Sequence, residues 1–169
     1  LSPRIRSKYS VPNALRFQER YLRQTNRFER PESLPSRIGG YRSLVYGADQ
    51  IWAPNVYRPI YMGAYVPDGV RKVSYAASVG LNHIPDELAD TYASNLSSFY
   101  AIAVREEEGR DLLKSRCDVD AQVVLDPTLM IEVQVYRNME RPLDVPIAGG
   151  YLFCYFLNKK HQYRERVEE

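Results

Sequence analysis

Tyr100-Ala101-Ile102-Ala103-Val104-Arg105-Glu106-Glu107-Glu108 is a short apolar run that ends on an arginine and passes at once into an acidic stretch. The run reads as a buried strand, and Glu106 to Ser115, carrying Leu112 and Leu113, reads as a helix. The same cycle recurs on both sides. Ser43-Leu44-Val45-Tyr46 is an apolar run stopped by Gly47, and Val73 to Ala77 is another stopped by Ser78 and Gly80; both read as buried strands. Ala121 to Leu125 makes a fourth strand, ending on Asp126. Between the second and third, Asp86 can cap a helix from Glu87 to Phe99 with Leu88, Tyr92, Leu96 and Phe99 on one face. Strands alternating with helices across short joints predict right-handed crossovers and a parallel sheet, an α/β fold.

The flanks are less regular. Residues 1–40 form a basic region in which Val11, Ala14, Leu15, Phe17, Tyr21 and Leu22 recur at helical spacing. Their aromatics are expected to pack inward and the arginines to face solvent, so nucleic-acid binding is not expected despite the interleaved Arg and aromatic residues. Pro31 to Gly40 reads as a loop, as does Ile51 to Asp68, which is long enough to be a covering or functional segment. One helix is expected from Pro127 to Asn138, a linker over 140–150, and at 151–169 a strand followed by the start of a helix, as if a second α/β domain were opening. The core of the first domain is then 41–139.

Composition sets limits. With 44% hydrophobic and 26% charged residues in 169, this is an ordinary globular chain. No run of about 18 apolar residues exists, so no membrane span is expected. Cys117 and Cys154 lack metal-ligand spacing and suggest free thiols in a reducing cytoplasm. Neither His83 nor His161 has an Asp, Ser or Cys at a telling distance, so no metal site is expected. The opening Leu1-Ser2-Pro3-Arg4 lacks a starting Met and a signal pattern, so the chain is expected to begin partway into a larger protein.

Ligands of open parallel sheets sit beyond the carboxyl ends of the strands. Asp49, Ser78, Arg105 and Asp126 all meet that condition, and together they suggest one wall of a cleft for an anionic small molecule. Arg105, at a helix start that is already electropositive, needs an anion beside it. Either Glu106, Glu107, Glu108 or Asp126 supplies one internally, or a bound phosphate or carboxylate does. Asp49 either caps a turn or takes a proton from a substrate hydroxyl, with Gln50 as a second polar contact and Trp52 as an apolar wall. Asp126, before Pro127, leans toward a turn role.

Four motifs in this order, Gly47-Ala48-Asp49-Gln50-Ile51-Trp52, Ser74-Tyr75-Ala76-Ala77-Ser78-Val79-Gly80, Val104-Arg105-Glu106-Glu107 and Val124-Leu125-Asp126-Pro127-Thr128, resemble the polysaccharide pyruvyl transferase family. The likeness runs over about 41–130, with Tyr151 to Leu157 similar to the strand that opens the family's second domain. It implies a Rossmann-like sheet forming one half of a two-domain, glycosyltransferase-B-like architecture. It implies phosphoenolpyruvate as donor substrate, no separate cofactor, and a sugar or lipid-linked glycan as acceptor. Arg105 would then hold the donor, Asp49 would orient or deprotonate the acceptor, Gln50, Ser78, Trp52 and Asp126 would line the site, and a histidine of the second domain would supply the general acid. This length alone is expected to be inactive. Two departures stand out: Ala48 replaces a frequent Ser, and the family's N-terminal strand and glycine-rich loop have no counterpart here. Rival readings are a nucleotide-sugar-dependent glycosyltransferase, and a noncatalytic carbohydrate-binding module that stacks sugar on Tyr57, Tyr61 and Tyr65.

Overall fold

A computed structural model describes residues 15–23, 33–47 and 49–140. The chain divides into two compact units, Leu1–Met130 and Ile131–Glu169. The expected strand at 151–157, the following helix, Cys154 and His161 lie outside the described residues, as does the linker beyond residue 140.

In the first unit, residues 15–21 are helical (α1), followed by α2 (Leu34–Ile38) and strand β1 (Ser43–Tyr46). Then come β2 (Arg71–Ser74), α3 (Asp86–Leu96), β3 (Ala103–Val104), α4 (Glu107–Cys117) and β4 (Gln122–Val123). All paired strands run parallel. β1 and β2 pair in the register Val45 opposite Val73, and β3 and β4 with Val104 opposite Val123. Single bridges, Val73 with Ala101 and Ala77 with Val104, bring these two small sheets edge to edge.

Between those bridges one strand advances four residues, Val73 to Ala77, while the other advances three, Ala101 to Val104. The extra residue makes a bulge, with Ala76 in the left-handed region at φ 49°. Ser74 mends the ladder there: its Oγ accepts the Ala103 amide at 2.9 Å and donates to the Ala103 carbonyl at 3.1 Å. The bulge ends the regular strand three residues earlier than the apolar pattern suggests and re-aims the chain that carries Ser78.

α4 packs on β3 and β4, and α3 on α4. Trp52, Met62, Val79, Ile84, Tyr92, Leu96, Val104 and Leu113 fill the space between helices and strands, so the core lies on one side of the strands. The opposite side is open in the described residues. Val45 is 68% exposed and Ala101 is exposed, so β1 is not the buried strand its composition suggests. An apolar run shows that a strand is favoured; it does not show that both faces are covered.

Four other expectations change. α1 leaves Phe17 and Tyr21 about half exposed, stacked on each other at 4.8 Å, and so does not turn its aromatics inward. The expected loop at 31–40 contains α2, which buries Leu34 and Ile38. Asp86 does not cap α3. Pro85 takes the cap position, and Asp86 is the first helical residue, its carboxylate paired with Arg116. Finally, the single helix expected over 127–138 is a 3-10 turn at Pro127–Met130 and, in the second unit, helix α5 at Val133–Arg137. The long segment 51–68 does act as a cover. It contains two 3-10 turns, Pro54–Val56 and Pro59–Met62, and contributes Trp52, Ala53 and Met62 to the core.

Candidate functional site at the strand ends

Arg105 follows β3 and lies one residue before the cap of α4, so the strand aims its guanidinium past the sheet end. All three edges of the fork are engaged. Nε donates to Glu106 Oε1 at 2.9 Å, Nη1 to Asp126 Oδ2 at 2.9 Å, and Nη2 to Asp49 Oδ1 at 2.6 Å. Asp49 reaches this point from the turn after β1, and Asp126 from the end of β4. The internal pairing considered from sequence is therefore present, with Asp49 as a third partner that the sequence offered no reason to add.

The three carboxylates raise the Arg105 pKa further, Asp49 contributing most, then Asp126 and Glu106. They are not held equally. Asp126 Oδ1 also accepts the Thr128 amide at 2.8 Å and its hydroxyl at 2.6 Å, an Asx-type turn. Those bonds, and then Arg105, push the Asp126 pKa down to about 2. Asp49 is 75% exposed against 25% for Asp126, and it is bound to the fork through Nη2 of Arg105. It is the most exposed of the three carboxylates.

Two cavities meet at Arg105 and Asp49. One, of about 330 Å³, is lined by Gln50, Ser78, Gly80, Asn82, Glu106 and Gly109 among others. The second, of about 310 Å³, is lined by Val45, Gly47, Tyr75, Ala76, Asp126 and Pro127. Gly47 is required by close approach, because a Cβ there would lie 2.4 Å from the Tyr75 carbonyl oxygen. Gly80, at φ 65°, lets the Gln50 side chain lie directly against its backbone. Gln50 itself has φ 53°, so each cavity contains a non-glycine residue, Gln50 or Ala76, in a sparsely populated backbone region.

Asp49, Gln50, Ser78, Arg105 and Asp126 thus come together around these cavities. Trp52 does not. It is 0% exposed in the core, donates Nε1–H to the Tyr61 carbonyl at 3.0 Å, and meets the Phe99 ring edge-on at 5.8 Å. Tyr57 packs against Tyr92 and lies beside Asn95, whereas Tyr61 and Tyr65 are exposed. In the sequence Glu106 stood only as a possible counter-ion. Among the described residues its buried Oε2 has no hydrogen-bond partner, and neither does the Oγ of Ser78, which is 1% exposed. Glutamate directly after the strand-end arginine was the visible signal for the first; Ser78 was already singled out by its place beyond the second strand, but nothing in the sequence foretold its unbonded hydroxyl.

Parallel strands delivering an arginine and two aspartates to one edge, beside a helix N-terminus that no side chain caps, define an α/β protein with a polar strand-end site. The chain belongs to the polysaccharide pyruvyl transferase family, whose model matches residues 5–168. No curated protein and no solved structure matches it. No helix among the described residues is long and apolar enough to cross a membrane.

Proposed function

We propose that the protein transfers a pyruvyl group from phosphoenolpyruvate to a pair of hydroxyls on a cell-surface glycan or its lipid-linked precursor, in the cytoplasm. The supporting observation is the solvent-exposed Asp49–Arg105 contact at the parallel-strand ends. A donor carboxylate or phosphate can take the Nη2 edge now held by Asp49, as a charge-assisted hydrogen bond. Asp126, tied down by Thr128, stays in place and keeps the fork oriented. The displaced Asp49 then faces the acceptor as a free carboxylate.

During transfer the methylene carbon of the donor gains a proton, one acceptor hydroxyl oxygen bonds to the adjacent carbon, and the hydroxyl proton passes to Asp49. The carbon–oxygen bond to phosphate breaks, and attack by the second hydroxyl closes the ketal with loss of its proton. The acid that protonates the methylene belongs, by family likeness, to a histidine of a second domain. A Rossmann-like first domain facing that second domain in a glycosyltransferase-B-like arrangement fits this division of roles, and the 169 residues alone are then inactive.

Ligand-dependent thermal unfolding tests the donor. Phosphoenolpyruvate should raise the melting temperature of the chain, and Arg105→Met should abolish the rise. A rise with uridine or guanosine diphosphate and none with phosphoenolpyruvate would replace pyruvyl transfer with nucleotide-sugar chemistry. Turnover of phosphoenolpyruvate by the 169 residues would contradict the claim of inactivity.

A further inference from the structure

Residues 15–21 of α1 are helical, and the Leu22 amide extends the pattern by donating to the Gln18 carbonyl at 2.9 Å. Two turns hold poorly by themselves in water, because helices shorter than roughly 12–15 residues depend on packing. Yet every residue from 15 to 23 is exposed, and Leu15, Phe17, Tyr21 and Leu22 are each 47% to 52% exposed. The described residues therefore leave this helix without the cover it needs.

The order of its side chains says what kind of cover fits. At 100° per residue, Phe17, Tyr21, Leu22 and Leu15 fall within one arc of roughly 160°, shared only with Gln18. Arg16 and Arg20 stand on the opposite side one turn apart, with Glu19 between them and Arg23 just beyond the helix. The Arg20 guanidinium lies 5.4 Å from the centre of the Tyr21 ring, at the border of the two faces. There an arginine can rest its stem against an apolar layer and keep its charge outside it. The surroundings in sequence have the same sign. Residues 1–42 carry ten arginines and lysines against three glutamates, whereas the rest of the chain is net acidic.

A partner that covers both faces must offer negative charge above an apolar layer, and an anionic bilayer surface does so. Nucleic acid would meet the arginines but leave Leu15 and Leu22 in water. It would also find Phe17 and Tyr21 stacked on each other at 4.8 Å, not spread to receive bases. We propose that α1 attaches the protein to the surface of an anionic membrane, with Phe17, Tyr21, Leu15 and Leu22 among the upper acyl chains and Arg16, Arg20 and Arg23 at the lipid phosphates. This is attachment in the plane of the interface, without a span. It needs no part of the pyruvyl-transfer reading, although a lipid-linked acceptor would be met at the same surface.

Co-sedimentation of the 169-residue chain with lipid vesicles tests the attachment. The chain should pellet with vesicles of equal parts phosphatidylcholine and phosphatidylglycerol and stay in solution with pure phosphatidylcholine. Sodium chloride at about 0.5 M should release it, since screening shortens the reach of the arginines. Arg16→Gln with Arg20→Gln should weaken binding roughly thirtyfold, and Phe17→Ser with Leu22→Ser at least about tenfold. Trp52 lies in the core, so its emission should be the same in both variants and the parent. The proposal is overturned if the parent ignores anionic vesicles, if it binds both kinds equally, or if the two variants bind as the parent does. Binding to polyuridylate without binding to vesicles would overturn it too, and make the basic face a nucleic-acid surface.

Discussion

Ser74→Ala and Ser78→Ala, two single-oxygen deletions four residues apart in one motif, should change stability in opposite directions. Ser74 Oγ, 5% exposed, is the acceptor for the Ala103 amide, whose strand neighbour has bulged away. Removing it orphans that N–H, at a cost of about 1–3 kcal/mol. The Ala103 carbonyl still accepts from the Ala77 amide at 3.2 Å, so the loss is confined to one donor. Ser78 Oγ is more deeply buried and bonds to nothing among the described residues. Its desolvation cost, again about 1–3 kcal/mol, is not repaid, while the dispersion attraction of one oxygen atom is worth only about 0.1–0.2 kcal/mol for each atom it touches. Ser78→Ala should therefore gain about 1 kcal/mol. For a chain of this size that is a rise of roughly 2–4 °C in melting temperature, against a fall of several degrees for Ser74→Ala. Differential scanning calorimetry of the parent and both variants reads this directly. If Ser78→Ala melts as low as Ser74→Ala, its hydroxyl is structural, and the argument from its missing partner fails.

Three further outcomes follow from the geometry. Thr128 and Arg105 lower the Asp126 pKa from the ordinary 3.8 to about 2, so its stabilising effect is present above the ordinary value and lost as pH falls toward about 2. Asp126→Asn should be less stable than the parent at neutral pH, with the gap narrowing between about pH 4 and pH 2 in urea titrations; a pH-independent gap would contradict the assignment. Gly47→Ala forces a Cβ to within 2.4 Å of the Tyr75 carbonyl oxygen and should cost about 1–3 kcal/mol in chemical denaturation, with no loss counting against the close approach. Trp52 is the chain's one tryptophan and is fully buried, so native emission should be blue-shifted and resistant to acrylamide quenching, and easy quenching would put it back in the cleft.

Much of the fold was legible because its signals are local. The Ser43–Tyr46 strand has the bounds its apolar run implies, and Tyr92 and Leu96 occupy the buried face expected of α3. The face of a strand left open is not a local property, and Val45 shows the consequence. Helix α1 fails for the same reason: its period describes a stripe but not a partner to cover it.

Sequence by itself placed Asp49, Ser78, Arg105 and Asp126 after strands, because strand period and turn chemistry depend on near neighbours. Tertiary structure alone decided that Asp49 bonds Arg105 across 56 positions and Asp126 does so across 21, since nothing local encodes which strand ends converge. It also decided the fate of the two serines in Ser74-Tyr75-Ala76-Ala77-Ser78. One mends a bulge and the other keeps a buried hydroxyl that bonds to nothing among the described residues, a difference set by where the neighbouring strand runs.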